Sequence, residues 1–276
     1  MKGYCVHSVS TVGATHLKKK IPCQDRSACF CSWSHSAIAI CDGHGGRRHF
    51  RSGEGASIAI SVCKDAIGAF CKKIARIKMC NDEYEAVYDL AKHIIAEWRI
   101  QVYSDYRNHA FSESEMSDLT PSEVEQLKRA PEIAYGSTLL LAVACNKFFF
   151  VLQIGDGNCR LQRKNELVNP FQESEEPKFG MTDSLCSSDA LQKLRLAVCS
   201  LDEIKGCVLS SDGVRNSFQS DEYYDSFCRM VLKEGSMVGR SSIQRDLSDF
   251  LPKLSSRGSG DDVSVAIIKH TKNVKK

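Results

Sequence analysis

Ala37-Ile38-Ala39-Ile40-Cys41-Asp42-Gly43-His44-Gly45-Gly46 is the stretch around which the rest of the chain is arranged. Alternating small and branched apolar residues at 37–40 predict a strand buried on both faces. Asp42 then projects from the end of a rigid element, where a metal ligand can be held accurately. Gly43 and Gly45-Gly46 let the backbone turn sharply and approach an ion or phosphate. His44 adds a group that exchanges a proton near neutral pH. The same string also reads as a strand followed by a Gly-rich turn, so its partners elsewhere in the chain decide between the two.

The surrounding 276 residues have the composition of a globular protein, 42% apolar and 26% charged with six prolines, which favours one sizeable core. A net charge of +3 is too small to imply nucleic-acid binding. No apolar run reaches transmembrane length, and the N-terminus lacks the apolar core of a signal peptide. The expected location is cytoplasmic. The fourteen cysteines are scattered without a Cys-x-x-Cys, against a zinc or disulfide framework. Most sit among apolar residues, where a reduced thiol behaves as a small hydrophobe.

Upstream of the central stretch, Tyr4 to Val9 alternates as a strand, Gly13 to Cys23 reads as loop, and Ala28 to Phe30 resumes strand pattern. Downstream, Ile58, Val62, Ala66, Phe70 and Ile74 fall four apart, one face of a helix from Gly55 to about Ile77. Tyr84 to Val102 keeps the three-and-four spacing of a second helix. Residues 108–134 are polar, with Thr120-Pro121-Ser122-Glu123 supplying an N-cap, a first-position proline and a third-position Glu for a short surface helix. Ser137 to Cys145 and Phe148 to Ile154 read as a hairpin about Asn146-Lys147, and Asn158 to Arg163 as a further strand. Residues 164–205 read as an irregular flap. A strand at 206–211, helices over 221–234 and 240–254, and a strand from Val263 to Lys269 close the chain. Antiparallel neighbours with helices inserted in pairs predict an α+β fold: one domain over 1–276, a central β-sandwich of two mainly antiparallel sheets flanked by helices in α-β-β-α layers.

One local design recurs. Asp42-Gly43, Asp156-Gly157 and Asp212-Gly213 each follow an apolar strand, while Asp25 and Asp261-Asp262 precede one. A single Asp-Gly is most often a turn. If these strand ends converge, the carboxylates repel one another unless cations sit between them. Oxygen-only ligands favour magnesium, manganese or calcium over zinc. Two such ions about 3.5–4 Å apart suit in-line phosphoryl displacement.

Gln24-Asp25, Asp42-Gly43-His44-Gly45-Gly46, Gly136-Ser137-Thr138, Gly155-Asp156-Gly157, Ser211-Asp212-Gly213 and Gly260-Asp261-Asp262-Val263-Ser264-Val265 together resemble the metal-dependent protein phosphatase family, type 2C, over nearly the whole chain. The resemblance implies a two-metal site at one end of the sandwich, loaded with Mn2+ or Mg2+. It also implies hydrolysis of phosphoserine and phosphothreonine in protein substrates by a hydroxide bridging the two metals. Asp42 would bridge both metals, the Gly43 carbonyl would bind one, and Asp212 and Asp261 would hold the other. Asp25 would act on the second metal, directly or through water, and Asp156 matches an acid linked in some members to a third, weaker metal. His44 matches the proposed general acid, and Lys20 falls where some members place a phosphate-holding arginine. Gln24 replaces a Glu ligand of animal members, and Asp262 stands where Asn is common. Lys20 lacks the bidentate fork of arginine. The flap is poorly matched, which bears on substrate preference. Phosphoproteins are the expected partners, with no nucleic acid and no membrane, and the expected state is a monomer.

Two other readings remain. Cys41 and Arg47 have the Cys-x₅-Arg spacing of cysteine-dependent phosphatases, although Asp42 would lie inside the phosphate cradle. A phosphatase-like fold used only for binding or regulation is the third reading, since fold does not prove activity. Arg47, Arg48 and Arg51 read as surface or helix-entry residues.

Overall fold

The computed structural model describes residues 3–76, 82–145, 148–164, 166–171, 182–234 and 240–271. The expected turn at Asn146-Lys147, the end of the first helix at Ile77 and part of the expected flap lie outside the described residues. The chain opens with β1 (Tyr4–Thr11), α1 (Ala14–Lys19), β2 (Arg26–Cys31) and β3 (His35–Cys41), followed by α2 (Ser52–Arg76) and α3 (Glu83–Asn108). Then come α4 (Glu113–Met116), α5 (Pro121–Arg129), β4 (Leu139–Cys145), β5 (Phe148–Ile154), β6 (Asn158–Arg163) and β7 (Glu166–Val168). The chain continues with β8 (Arg195–Ser200), β9 (Ile204–Ser210), α6 (Asp212–Arg215), α7 (Asp221–Glu234), α8 (Arg240–Arg257) and β10 (Val263–His270).

The strands form two five-stranded antiparallel sheets, ordered β1-β10-β9-β6-β7 and β2-β3-β4-β5-β8. Side-chain alternation along each strand builds the layers. Ala37, Ala39 and Cys41 of β3 pack with Leu141 and Phe150 against α2 and α3. Ile38 and Ile40 point the other way and meet Val6, Leu161, Leu209 and Ile268 of the opposite sheet. Beyond that sheet, Val208, Val265 and Ile267 pack on Tyr224 and Phe227 of α7 and Leu247 and Leu251 of α8. All seven residues of β3 are buried, as a strand between two apolar layers requires. The result is the α-β-β-α sandwich expected from the sequence.

The helices follow their sequence signals. Val62, Ala66 and Ile74 of α2 and Val87, Ile94, Trp98 and Val102 of α3 bury one face of each helix. Trp98 donates its indole N–H to the carbonyl of Gly55 at 2.9 Å, and a Cβ on Gly55 would stand 1.8 Å from the Tyr135 carbonyl oxygen. Glu123 N donates to Thr120 Oγ1 while Thr120 N donates to Glu123 Oε2, the reciprocal cap that starts α5.

Two segments differ from expectation, and one strand takes a sheet that the sequence left open. Residues 13–23, read as loop, contain α1, a short helix with no buried residue and therefore no apolar period to announce it. β6 leaves the sheet of β5 and pairs with β9 and β7 in the other sheet. Residues 164–205 include β7 and β8, the second being an edge strand of half-exposed residues against β5. Leu185 and Ala190 from the same region are buried in the core.

The registers decide where the loops go. In one sheet Thr11 faces Val263, Val265 faces Ser210, and Ser210 faces Asn158. In the other Arg26 faces Cys41, Ile40 faces Leu140, and Leu139 faces Ile154. The segments beginning or ending at 12, 25, 42, 138, 155, 157, 211 and 262 therefore leave the sheets at one end of the sandwich.

Candidate active site

That end gathers every acid singled out in the sequence. Asp42 follows the last residue of β3 and is clasped by the segment leading into β4. Asp42 N donates to Thr138 Oγ1 at 2.9 Å, and Thr138 N donates to the Asp42 carbonyl at 2.8 Å. Gly43 pairs with Ser137 in an isolated antiparallel bridge. A Cβ on Gly43 would lie 2.8 Å from the Gln24 carbonyl oxygen and 2.9 Å from that of Ser52, so only glycine lets the backbone pass there. The turn at Asp156 is fixed from below: Arg195 donates to the Gly155 carbonyl at 2.9 Å, and the buried Gln153 amide donates to the Gly155 and Gly157 carbonyls.

Three of the acids act on one another. Asp25 is buried, neither of its carboxylate oxygens has a hydrogen-bond partner, and burial pushes its carboxyl up to about 7. Asp42 is held well above the ordinary carboxylate range by burial, then by the charges of Asp25, Asp212 and Asp156. Asp212, at the first position of α6, is pushed up to about 6 by burial and by Asp156 and Asp261. Among the described residues, no three His, Cys, Asp or Glu side chains already close into metal-ligand geometry. The chemistry of the set still fits a hard divalent cation: the donors are all oxygen, two are orphaned, and added positive charge would offset the burial and the repulsion that together raise all three.

Asp261 and Asp262 divide their work. The Asp261 side chain is 54% exposed, and its Oδ1 accepts from Asp262 N at 2.8 Å. Asp262 is buried, and its Oδ1 accepts from Gly13 N at 2.6 Å and from His16 Nδ1 at 2.9 Å. Its Oδ2 accepts from Gln24 N at 2.6 Å. Asp262 thus ties the start of α1 and the residue before Asp25 to β10. The sequence reading missed this anchoring role; the doubled acid was the one signal for it.

The remaining residues are spread more widely. Asp156 is exposed and accepts from Thr182 Oγ1 at 2.7 Å. Lys20 is exposed at the end of α1, with a left-handed φ of 57°, and its side chain makes no ion pair with the acids among the described residues. His44 N donates to the Gly136 carbonyl at 3.0 Å, which places its ring edge-on to His49 at 5.2 Å. His44 Nε2 is buried without a partner. Burial, then His49, lowers His44 to about 4, with Asp156 opposing, so the imidazole is neutral near pH 7. Beside it lies a cleft of about 590 Å³ lined by Arg48, His49, Glu132, Thr182 and Cys186 among others.

The cysteine alternative fails on geometry. Cys41 is fully buried within β3, and burial, followed by Cys63, holds its thiol well above the ordinary range. Arg47 turns away to Glu123 Oε1 at 2.9 Å and the Asp118 carbonyl at 3.4 Å. Neither a thiolate nor an arginine cradle exists there.

Comparison with known proteins agrees with this geometry. The sequence model of the family described as protein phosphatase 2C matches residues 12–252. No curated protein sequence matches. Among solved structures, the serine/threonine phosphatase Stp1 from Staphylococcus aureus superposes with a TM-score of 0.61 at 13% identity, over 97% of this chain and 95% of its own. PppA of Pseudomonas aeruginosa gives 0.59 at 18% identity, over 98% of each chain. The catalytic domain of the serine threonine protein phosphatase PstP, in complex with two manganese ions, gives 0.56 at 13% identity over 98% and 99%. The fold is shared with these structures, and, on the family match over most of its length, the chain belongs to the protein phosphatase 2C family, an enzyme family of serine/threonine phosphatases.

Proposed function

We propose that the chain is a manganese- or magnesium-dependent phosphatase that hydrolyses phosphoserine and phosphothreonine in cytoplasmic proteins, acting as a monomer. The observation that carries this is the meeting of Asp25, Asp42 and Asp212, each with a raised proton affinity, at one end of the sandwich. Two divalent cations bound there would supply an acidified water and neutralise the phosphoryl oxygens. Asp42 would lie between them, with the Gly43 carbonyl on one. Asp212 and Asp261 would hold the other, and Asp25 would act on the second metal, directly or through water. Asp156 would offer a third, weaker position from its exposed turn. Lys20, exposed at the end of α1, would meet the substrate phosphate as a point charge. His44 would protonate the departing alkoxide. It is neutral in the free site, so the dianionic substrate must raise its proton affinity, as Asp156 already does in part.

Phosphate release from a phosphothreonine peptide, with and without manganese and before and after chelation, tests this reading. Release that needs added metal is the expected result. A folded chain that releases none at any metal concentration would instead be a binding protein built on this fold. No helix among the described residues is long and apolar enough to cross a membrane.

A further inference from the structure

Three arginines follow the glycines of the central stretch, and their surroundings differ. Arg47 is paired with Glu123 at 2.9 Å. Arg51 is paired with Glu115 at 2.6 Å and Asp105 at 3.7 Å. Arg48 alone of the three lines the cleft beside His44, and among the described residues it has no carboxylate partner. Its Nη2 donates to the neutral Gln126 Oε1 at 2.9 Å, and its Nε is buried with no acceptor. Its charge is felt at His49, another lining residue, whose proton affinity is lowered by burial and then by Arg48. Arg99, which does not itself line the cleft, donates to the carbonyl of the lining residue Ser187 at 2.6 Å, and its Nε is likewise buried without an acceptor. Among the described residues one carboxylate lines the cleft, Glu132; it accepts from Tyr103 Oη at 2.9 Å and makes no ion pair with Arg48.

A guanidinium without a counter-ion, at the edge of a cleft next to a reacting group, is a receptor for an anion. We propose that Arg48 sets sequence preference by binding an anionic group on a residue flanking the scissile phosphoresidue, either a carboxylate or a second phosphate. This rests on the phosphatase reading above. The scissile phosphate belongs at the acid cluster, whereas the flanking residue would lie in the adjoining cleft, which His44 and the Asp156-bonded Thr182 line. The contact is partly exposed, so the effect is one of moderate discrimination rather than of all-or-none recognition.

The test compares four phosphothreonine peptides with glutamate, phosphoserine, alanine or lysine beside the phosphothreonine. Each is hydrolysed at saturating manganese by the wild type, Arg48→Gln, Arg48→Glu and the control Arg47→Gln. The wild type should favour the glutamate or phosphoserine peptide over alanine by about three- to tenfold in kcat/KM, chiefly through KM. Arg48→Gln should erase the preference, Arg48→Glu should move it to the lysine peptide, and Arg47→Gln should keep it. A gain with only one of the two anions identifies the source. No preference in the wild type, or one that survives both Arg48 substitutions, overturns the proposal. Absence of hydrolysis of all four peptides would instead remove the phosphatase reading, and this inference with it.

Discussion

The carboxylate of Asp262 accepts the backbone N–H of Gln24 at 2.6 Å, across 238 positions of sequence. With Gly13 N and His16 Nδ1 on its other oxygen, Asp262 holds the segment that carries Asp25 against the start of β10. Removing it strands two backbone donors, in a place where a Cβ on Gly13 would already lie 2.3 Å from the Asp261 carbonyl carbon. Asp262→Ala should therefore cost about 3 kcal/mol of stability, at about 1–3 kcal/mol for each stranded group with incomplete additivity. Asp262→Asn keeps one acceptor and should cost roughly half as much. Urea unfolding of the metal-free chain measures both, and a loss under about 0.5 kcal/mol for the alanine variant would remove the anchoring role.

Asp42 and Asp212 should each be indispensable to turnover. With one carboxylate replaced by an amide, a shared cation site loses a ligand and a negative charge. Asp42→Asn and Asp212→Asn should each lower kcat by at least about 100-fold at saturating manganese. Near-normal turnover in either would contradict its assignment as a ligand.

The same acids work against the fold when no metal is bound. Unfolded, Asp25, Asp42 and Asp212 release their protons near pH 4, but folded they keep them to higher pH: Asp25 to about 7, Asp212 to about 6. The native state thus binds more protons between those limits, and this cluster's contribution becomes more unfavourable as pH rises through that window. His44, lowered to about 4, works in the opposite direction below pH 6.5, so the cluster is best read by difference. In chelator, the gain in Tm from Asp42→Asn over wild type should be larger at pH 7.5 than at pH 5, and manganese should reverse its sign. A gain that is equal at both pH values, or larger at pH 5, would show that these carboxylates do not oppose folding.

His44 can be separated from its neighbours by the choice of leaving group. An alkoxide needs a proton as it departs, and a positioned acid typically contributes 10²–10⁴-fold. A nitrophenolate leaves without one. His44→Ala should therefore slow hydrolysis of a phosphothreonine peptide by at least about 100-fold while changing p-nitrophenyl phosphate turnover severalfold at most. Equal losses on both substrates would assign His44 to metal positioning, and no loss on either would leave it as the ring that packs on His49.

What the sequence revealed was local, and what it hid was not. The period of Ile58 to Ile74 and the cap at Thr120 each depend on neighbours a few residues apart, and each appears in the structure where it was expected. The partition of strands between the sheets depends on which strand the chain meets after the turn at Gly155, and no short-range pattern encodes that. β8 was missed because an edge strand with half-exposed residues lacks the apolar run of β4 or β5. The anchoring role of Asp262 was hidden because its partners come from the other end of the chain. Arg48 and Arg47 are adjacent in sequence, and only the packing of α5 tells the paired one from the one facing the cleft.

The pairing of β1 with β10, from Tyr4↔His270 to Thr11↔Val263, sets the order of events during synthesis. Among the described residues β10 is the only sheet neighbour of β1, so β1 waits for a strand made about 250 residues later, Thr11 facing Val263, before it can be paired. Closing so long a loop is slow, and it leaves β1 and the open side of β9 exposed to wrong partners in the meantime. Asp25 hangs from that same late-arriving seam through Asp262. A nascent chain that has not reached residue 263 therefore carries Asp42 and Asp212 without the anchor that holds the segment of Asp25.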